Sequence, residues 1–307
     1  MTSKYMLLIV GLIMMLSYQN CANKMSFDGA GVTAGKIDSV NTPDGVGDDP
    51  APGQDPIAML PPGDTDQDTD IDYDYDNHRV AFSCTTGATL KFDEAALTQA
   101  DDLTLKNAWR LLFYYSRPLR YVDVQNLKGS IAVKNALRID SFKNISGLVS
   151  YARAASVTSV ENIQAGISST AGIKINEVRN VHAGYICASG SEIGKMSDLH
   201  GLFMKFRGRP ATGAAADVNG KATEISNVHS GFTSIYKLDV ALLSNVDGEL
   251  IIRNSTIDSI ENFSGGLTLI NSKVRSLKNA KGKLRTLNST VDSQTNVSMD
   301  LIELIRK

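Results

Sequence analysis

An asparagine recurs every 17 or 18 residues through most of the second half of the chain. The series comprises Asn126, Asn144, Asn162, Asn180, Asn227, Asn245, Asn262, Asn279 and Asn296, with Asp198 in one of the places. A fixed period of this length is the sequence signature of a solenoid, in which similar turns stack on one another. The repeat therefore restricts the fold more than any other feature of the sequence.

The residues between the asparagines predict strands. With each asparagine as position 1, apolar residues recur at positions 2, 6, 8 and 13, and a glycine often stands at position 4. One turn shows this pattern with Val246, Leu250, Ile252, Ile257 and Gly248. Alternating apolar and polar neighbours indicate a strand with one buried face, and the glycines and Asn-Ser pairs favour tight bends. Stacked turns would place equivalent residues ~4.8 Å apart, so the position-1 side chains would form a ladder of hydrogen-bonded amides. Asn254, Asn271 and Asn288 are candidates for a second, shorter ladder.

This spacing resembles that of bacterial β-solenoids, such as the three-sided β-helices of the bactofilin type. Leu267, Leu269, Val274 and Leu277 also match the spacing of leucine-rich repeats. The period here is shorter than the ~20–29 residues that those repeats need. The predicted fold is therefore an all-β, three-sided β-helix of about 9–10 turns.

The exposed strand edges at the two ends of such a stack are expected to carry helical caps. We predict an N-terminal cap with irregular turns at residues 81–125, a regular solenoid at 126–295 and a C-terminal cap at 296–307. Amphipathic helices are expected at residues 103–116 and from Met299 to Arg306.

The first 21 residues resemble the signal peptide of a bacterial lipoprotein. Lys4 precedes an apolar run from Met6 to Leu16 that is too short to span a bilayer, and Cys21 follows it. We expect a lipid on Cys21 to anchor the protein at the bacterial outer membrane or cell surface. Secretion or a periplasmic location without a lipid is the alternative.

Residues 22–80 have the composition of a disordered tether, with much Gly, Pro, Asp, Thr and Ser. Every second residue from Asp64 to Asp76 is an aspartate. A solvated acidic spacer is the preferred interpretation. The pattern also resembles D-x-D-x-D loops that bind calcium through oxygen ligands, so a calcium site at residues 64–76 is the alternative.

The charge is divided unevenly along the chain. Residues 1–80 hold 4 Lys/Arg and 13 Asp, whereas residues 81–307 hold 27 Lys/Arg and 20 Asp/Glu, a net charge of +7. A basic body favours an anionic envelope polymer as partner, with a surface protein as the other candidate. No pattern indicates specific nucleic-acid recognition. Alternatively, the basic residues are only the solvated faces of strands.

Three histidines share one position of the repeat. His182, His200 and His229 stand at position 3 of consecutive turns, and Asp247 takes that position in the next turn. A regular stack would align them in a column. The column is interpreted as a polar ladder, or alternatively as a site for a transition metal such as zinc or iron.

Residues 205–221 exceed the period by eleven residues and predict an exposed loop on the same turn as His200. Lys205, Arg207 and Arg209 make this loop a candidate anion site.

Cys187 is expected to be a buried, inward-facing thiol rather than to pair with Cys84, since pairing would require residues 81–106 to fold back along the stack.

We expect a non-enzymatic protein that serves as a binding, adhesion or structural module at the cell envelope. No G-x-S-x-G, phosphate-loop or H-E-x-x-H motif is present. One alternative is a β-helix enzyme acting on a surface polysaccharide through the histidine column and the 205–221 loop. Another is a structural solenoid that assembles end to end.

Overall fold

The computed structural model describes residues 72–74, 79–81, 92–210 and 218–303. The body is an all-β parallel solenoid of about 11 turns. It begins with a five-residue helix, α1 (Glu94–Thr98), followed by strands that bend at the corners of each turn. These strands are β3 (Asp101–Lys106), β4 (Trp109–Tyr115), β5 (Leu119–Gly208), β6 (Gly220–Tyr236), β7 (Leu238–Arg253), β8 (Thr256–Ile270), β9 (Lys273–Leu287) and β10 (Thr290–Glu303). The neighbouring strands pair in parallel from β3 to β10.

Each turn bends at up to three corners, which we number along the chain. The first corner is position 1, where eleven residues from Asn107 to Asn296 adopt positive φ angles between 51° and 57°. The second corner carries glycines with positive φ, such as Gly248 and Gly265. The third corner uses Asn254 and its counterparts, again with positive φ. Asparagine tolerates this left-handed backbone better than other side chains do, which explains its recurrence.

The first-corner amides form the predicted ladder. Each Asn donates from Nδ2 to the Oδ1 of the residue one turn earlier, over distances of 2.6 to 3.2 Å. Asn227 likewise donates to Asp198 Oδ1 at 2.8 Å. The ladder therefore has a direction, with every donor aimed at the N-terminal end of the stack.

The core is a single apolar column inside the turns. Leu250, Ile252, Ile257 and Ile260 of one turn are completely buried, and the same cluster continues through nearly every turn. Register follows this pattern, because Ile257 lies between Val240 and Val274 of the adjacent turns. Burial of each such side chain contributes ~1.5–3 kcal/mol relative to an exposed one.

The helices predicted at residues 103–116 and from Met299 onward are wrong within the described residues, although the short helix α1 lies inside the predicted N-terminal cap. Residues 103–116 fall mainly in β3 and β4, and β10 remains a strand through Glu303. Pairing explains the difference, because β10 satisfies the open edge of β9 along its length. In this register Val297 and Met299 pack against the core in a strand alternation. Backbone pairing with an existing edge thus outweighs the local helical pattern.

The segment before the solenoid folds back onto it. α1 is capped by Asp93, whose Oδ1 accepts from the backbone N of Ala96 at 3.1 Å, and Leu97 is fully buried. The ring centroid of Phe92 lies 5.6 Å from the guanidinium of Arg153, in the third turn. The expectation that this segment does not fold back along the stack is therefore wrong.

Cys187 is buried as predicted, but it is neither inward-facing nor a free thiol. Its neighbours Ile186 and Ala188 belong to the core cluster and Cys187 does not, so its side chain points outward. Nevertheless it is only 4% exposed, and it is disulfide-bonded to a partner outside the described residues.

Several predictions for the N-terminal part concern residues outside the described ones. They include the signal peptide, the lipid on Cys21 and most of the 22–80 tether. Within the predicted tether, β1 (Asp72–Asp74) pairs antiparallel with β2 (Arg79–Ala81). The side chains of the 64–76 aspartates lie outside the description, so the calcium alternative stays a prediction. No helix in the described part of the chain is long and apolar enough to cross a membrane.

The substitution Asp198→Asn is expected to stabilise the fold. A carboxylate accepts from Asn227 but has no hydrogen to donate to Asn180, so the ladder is interrupted there. An asparagine keeps the positive φ of 57° and supplies the missing donor, which would add about 0.5–1.5 kcal/mol to the free energy of unfolding. Urea denaturation followed by circular dichroism measures the change, and unaltered or lower stability would contradict the role given to the ladder.

Candidate functional site

The histidine column, defined as His182, His200, His229 and Asp247, lies between the first and second corners. The ring centroids of His182 and His200 are 4.5 Å apart with planes 3° from parallel. Those of His200 and His229 are 4.7 Å apart at 25°. His229 Nδ1 lies 2.9 Å from Asp247 Oδ1. The structure thus brings all four predicted residues together.

The stacked geometry determines what the column can do. Imidazole lone pairs lie in the ring plane, so parallel rings direct their nitrogens side by side rather than towards one point. A tetrahedral metal site needs ligands that converge. Over the ranges that the structure describes, no group of three or more His, Cys, Asp or Glu is placed to hold a metal ion. The arrangement is that of an aromatic ladder ending in a histidine–carboxylate contact.

The column should make stability depend on pH. Burial lowers the pKa of His200, and the neighbouring His182 and His229 lower it further, against the opposing effect of Asp198 and Asp247. The unfolded chain therefore takes up this proton at a higher pH than the folded one. The contribution of His200 to the free energy of unfolding is fully present above the ordinary histidine pKa of 6.5. It is lost as the pH decreases from that value towards the lower pKa of His200 in the folded protein.

We expect urea unfolding of the wild type to show lower stability at pH 5.5 than at pH 7.5, and His200→Gln to reduce that difference. Carboxylates with lowered pKa, such as Glu161 and Asp140, lose their contribution mainly at lower pH and should affect both proteins alike. An equal pH dependence in the two proteins would contradict the assignment to His200.

The predicted anion cluster of the 205–221 loop is not an exposed surface. Arg207 and Arg209 are each only 2% exposed, and the Arg207 guanidinium lies 4.7 Å from the ring centroid of Tyr236. Lys205 is half-buried. The insertion occupies residues 209–219, because β5 ends at Gly208 and β6 begins at Gly220. It leaves the stack at the third corner, away from the histidine column, so the two predicted features do not form one site.

An apolar ridge runs along the second corner and was missed by sequence reasoning. At the corner stand Leu111 (78% exposed), Leu148 (61%), Leu202 (67%) and Phe203 (55%), and the ridge also includes Trp109 (80%), which lies beside the corner in register with Lys128. The signal was available, because the position of Leu148 and Leu202 is occupied by Gly166 and Gly184 in the turns between them. Large apolar side chains at an outward bend serve no packing role inside the solenoid.

The face between the third and first corners is covered with charged side chains that pair between turns. Glu161 contacts Lys143 at 3.3 Å and Arg179 at 2.5 Å, and Lys278 lies 3.0 Å from Glu261. Exposed pairs of this kind contribute ~0–1 kcal/mol each. Their main consequence is that much of the basic charge on this face is already neutralised.

One turn is unusually rich in basic residues. Residues 273–285 contain six Lys or Arg and no acidic residue, a signal that sequence reasoning overlooked. Lys281 and Lys283 are exposed and have no ion pair among the described residues. The other four basic residues of this segment pair with Asp292, Asp258, Glu261 and Glu249 of neighbouring turns.

A shallow groove of about 540 Å³ follows the third corner. We call it the third-corner groove. Its lining residues are Asn219, Lys237, Asn254, Ser255, Thr256, Asn271, Ser272, Lys273, Asn288 and Thr290. Inside the corner, the hydroxyls of Ser255, Ser272 and Ser289 accept from backbone N–H groups of the turn before, at 3.0 to 3.3 Å. Of the second amide ladder the structure shows one link, from Asn288 Nδ2 to Asn271 Oδ1 at 3.2 Å.

These features define a class of protein: a parallel β-solenoid whose turns are joined by an asparagine ladder and whose corners present different chemistries. Comparison of the chain with known protein families, curated proteins and solved structures finds no match.

Proposed function

We propose that this protein is a non-enzymatic binding module, exported and held at the cell envelope by a lipid on Cys21. The apolar ridge of the second corner docks a surface protein. The observation that supports this role best is the exposure of the five ridge side chains, each more than half accessible to solvent. Apolar residues grouped in this way mark protein-binding surfaces more often than they serve the monomer.

The shape of the ridge suits an apolar segment that crosses the corner. Leu148 and Leu202 project three turns apart, and Gly166 and Gly184 lie between them. Two projecting leucines with small residues between them form a notch ~14 Å long, from the strand spacing. Aromatic and aliphatic anchors that fill such notches supply most of the energy at protein interfaces.

An enzyme acting on polysaccharide has less support. Glycoside cleavage needs two carboxyl groups flanking the bond. Two grooves in the described part of the chain are lined by amides, hydroxyls, lysines and apolar groups such as Phe263, and neither lining includes a carboxylate. The histidine column and the insertion, which were the candidate site, lie at different edges of the solenoid.

Photo-crosslinking in the native envelope tests the proposal. A photoreactive residue replacing Leu202 should cross-link one defined protein, whereas the same residue at the exposed Lys174 on another face should not. Leu148→Glu combined with Phe203→Glu should abolish the cross-link, and Cys21→Ser should release the protein from the membrane fraction. Equal products from positions 202 and 174, or insensitivity to the ridge substitutions, would contradict the docking role.

End-to-end assembly is a second candidate, supported by the open last turn. Among the strands that the structure describes, β10 pairs only with β9, Val297 and Met299 are partly buried, and Leu301 is 68% exposed. An uncovered strand edge is a template for another chain. The ladder direction would let Asn107 of a second copy donate to Asn296, giving head-to-tail contacts that propagate.

Sedimentation of the purified protein separates the two candidates. Assembly predicts species that grow with concentration and are lost in Leu301→Lys. If the protein is a monomer at all concentrations and the Leu202 cross-link is retained, end-to-end assembly is contradicted and the docking proposal stands.

A further inference from the structure

The third-corner groove offers polar groups at a regular spacing. Its lining residues come from five consecutive turns, from Asn219 to Asn288 and Thr290. Equivalent atoms in consecutive turns are ~4.8 Å apart. An extended polymer lying parallel to the solenoid axis would therefore meet the same chemical groups at each step.

Several of these groups have hydrogen-bonding capacity to spare. Asn271 Oδ1 accepts from Asn288, but no hydrogen bond in the described structure uses Asn271 Nδ2 or the side-chain amide of Asn254. Asn219 is occupied differently, since its Nδ2 donates to Asp239 Oδ1 and to the backbone O of Asn254, both at 2.9 Å. The free amides can donate to and accept from hydroxyl groups, which is the requirement for holding a sugar chain.

Lys237 supplies independent evidence for a ligand. It occupies the corner position that is asparagine in the following turns, with a positive φ of 48°. That conformation costs ~1–2 kcal/mol for an ordinary side chain. Strain of this kind tends to persist where a side chain has a role that outweighs it. The role we assign to this position is to place a positive charge at the groove, which Lys237 lines while its ammonium lies 5.8 Å from the ring centroid of Tyr236.

The charge of the groove favours an anion. Lys237 and Lys273 are among its lining residues, and no carboxylate is. Lys273 contacts Asp292 at 2.9 Å, with both side chains about half exposed. An exposed pair of this type is weak and can exchange partners. The nearby Asp239 carboxylate is held by Asn219 and by the backbone N of Thr256 at 2.7 Å.

We infer that the third-corner groove binds a linear acidic polysaccharide, laid parallel to the solenoid axis. Sugar hydroxyls pair with the amides of Asn254 and Asn271, and carboxylates of the chain pair with Lys237 and Lys273. The inference rests on the proposed role as an envelope binding module, but it uses a different corner from the protein-docking ridge.

Calorimetry with the full chain tests the site. Alginate and polygalacturonate oligomers are the acidic probes, and maltohexaose is the neutral one. Binding of an acidic probe should weaken about tenfold in Lys237→Asn, since a charged contact of ~1.4 kcal/mol corresponds to that factor. Asn271→Asp should weaken it similarly, because it keeps the corner geometry and the acceptor for Asn288 while adding repulsion. Lys237→Asn also relieves the corner strain, so its effect cannot come from unfolding.

The matched control is Lys281→Asn combined with Lys283→Asn, which removes two exposed charges at another part of the surface. This variant should bind the acidic oligomers like the wild type. An equal loss of binding in the control would show attraction by net charge and overturn the assignment. Equal binding of maltohexaose would overturn the acidic specificity, and no binding of either acidic oligomer would overturn the site itself. Leu148→Glu with Phe203→Glu should leave glycan binding intact, so failure of the ridge and failure of the groove are distinguishable.

Discussion

Replacing Gly265 with alanine is expected to lower the free energy of unfolding by about 3 kcal/mol or more. Gly265 has a φ of +141°, which L-residues with a side chain rarely adopt. A Cβ atom there would lie 2.1 Å from the backbone O of Gly248 in the preceding turn. Because that atom belongs to the stacked backbone, the strain cannot be relieved by rotating a side chain. The two turns must separate, and the paired strands β7 and β8 lose register.

Gly231→Ala is the matched control for this effect. Gly231 stands at the same corner two turns earlier, but its φ lies outside the positive range and its nearest contact would be Leu202 O at 3.2 Å. We expect a change of about 0.5 kcal/mol or less, as at an ordinary surface position. Urea denaturation of the two variants measures the contrast. Similar destabilisation by both would mean that the second corner is sensitive to any side chain rather than to this backbone conformation.

The solenoid itself could be predicted because its determinants repeat. Asn245 and Asn262 stand at bends that need positive φ, and Ile257 recurs as Val274 one turn later. Both signals are local, and the stack confers the same environment on each repeat. The alignment of His182, His200 and His229 followed from the same phase. The parallel orientation of their rings could not be predicted, because the side-chain torsion angles depend on neighbouring side chains rather than on the strand register.

The wrong predictions about single side chains share one physical cause, which is that other segments of the chain pack over the outward faces of the solenoid. A strand pattern tells which side chains point away from the core, but not whether another segment packs over them. Arg207 and Arg209 were therefore taken as exposed, and Cys187 was assigned to the inward face because it stands at position 8 of the repeat. Phe92 contacts Arg153, which is distant in the sequence, and the repeat pattern gives no indication of this contact. The helices expected at the two ends were wrong for a related reason. The open edge of the last strand forms backbone hydrogen bonds with the next segment even when that segment has a local helix propensity.

Breaking the Cys187 disulfide is expected to lower the free energy of unfolding by about 4 kcal/mol, and mapping should identify Cys84 as the partner. The reach of the chain supports this pairing. Phe92 lies against the third turn and Cys187 is in the fifth, ~10 Å further along the stack. Cys84 precedes Phe92 by eight residues, which can span up to ~28 Å. The remaining cysteine, Cys21, is the predicted lipid attachment site. A link between Cys84 and Cys187 would close a loop of about 100 residues, and a loop of that length gives a large entropic stabilisation.

Mass spectrometry of peptides from the non-reduced protein tests the pairing, and urea unfolding with and without reductant tests the energy. Cys187→Ser should reproduce the effect of the reductant, whereas Cys21→Ser should leave the unfolding curve unchanged. The covalent link would hold the returning segment over the outward face that carries Cys187, so reduction should also expose that face to hydrogen exchange while the asparagine ladder keeps its protection. A bond from Cys187 to Cys21, or identical unfolding in both redox states, would refute this account of how the segment is held.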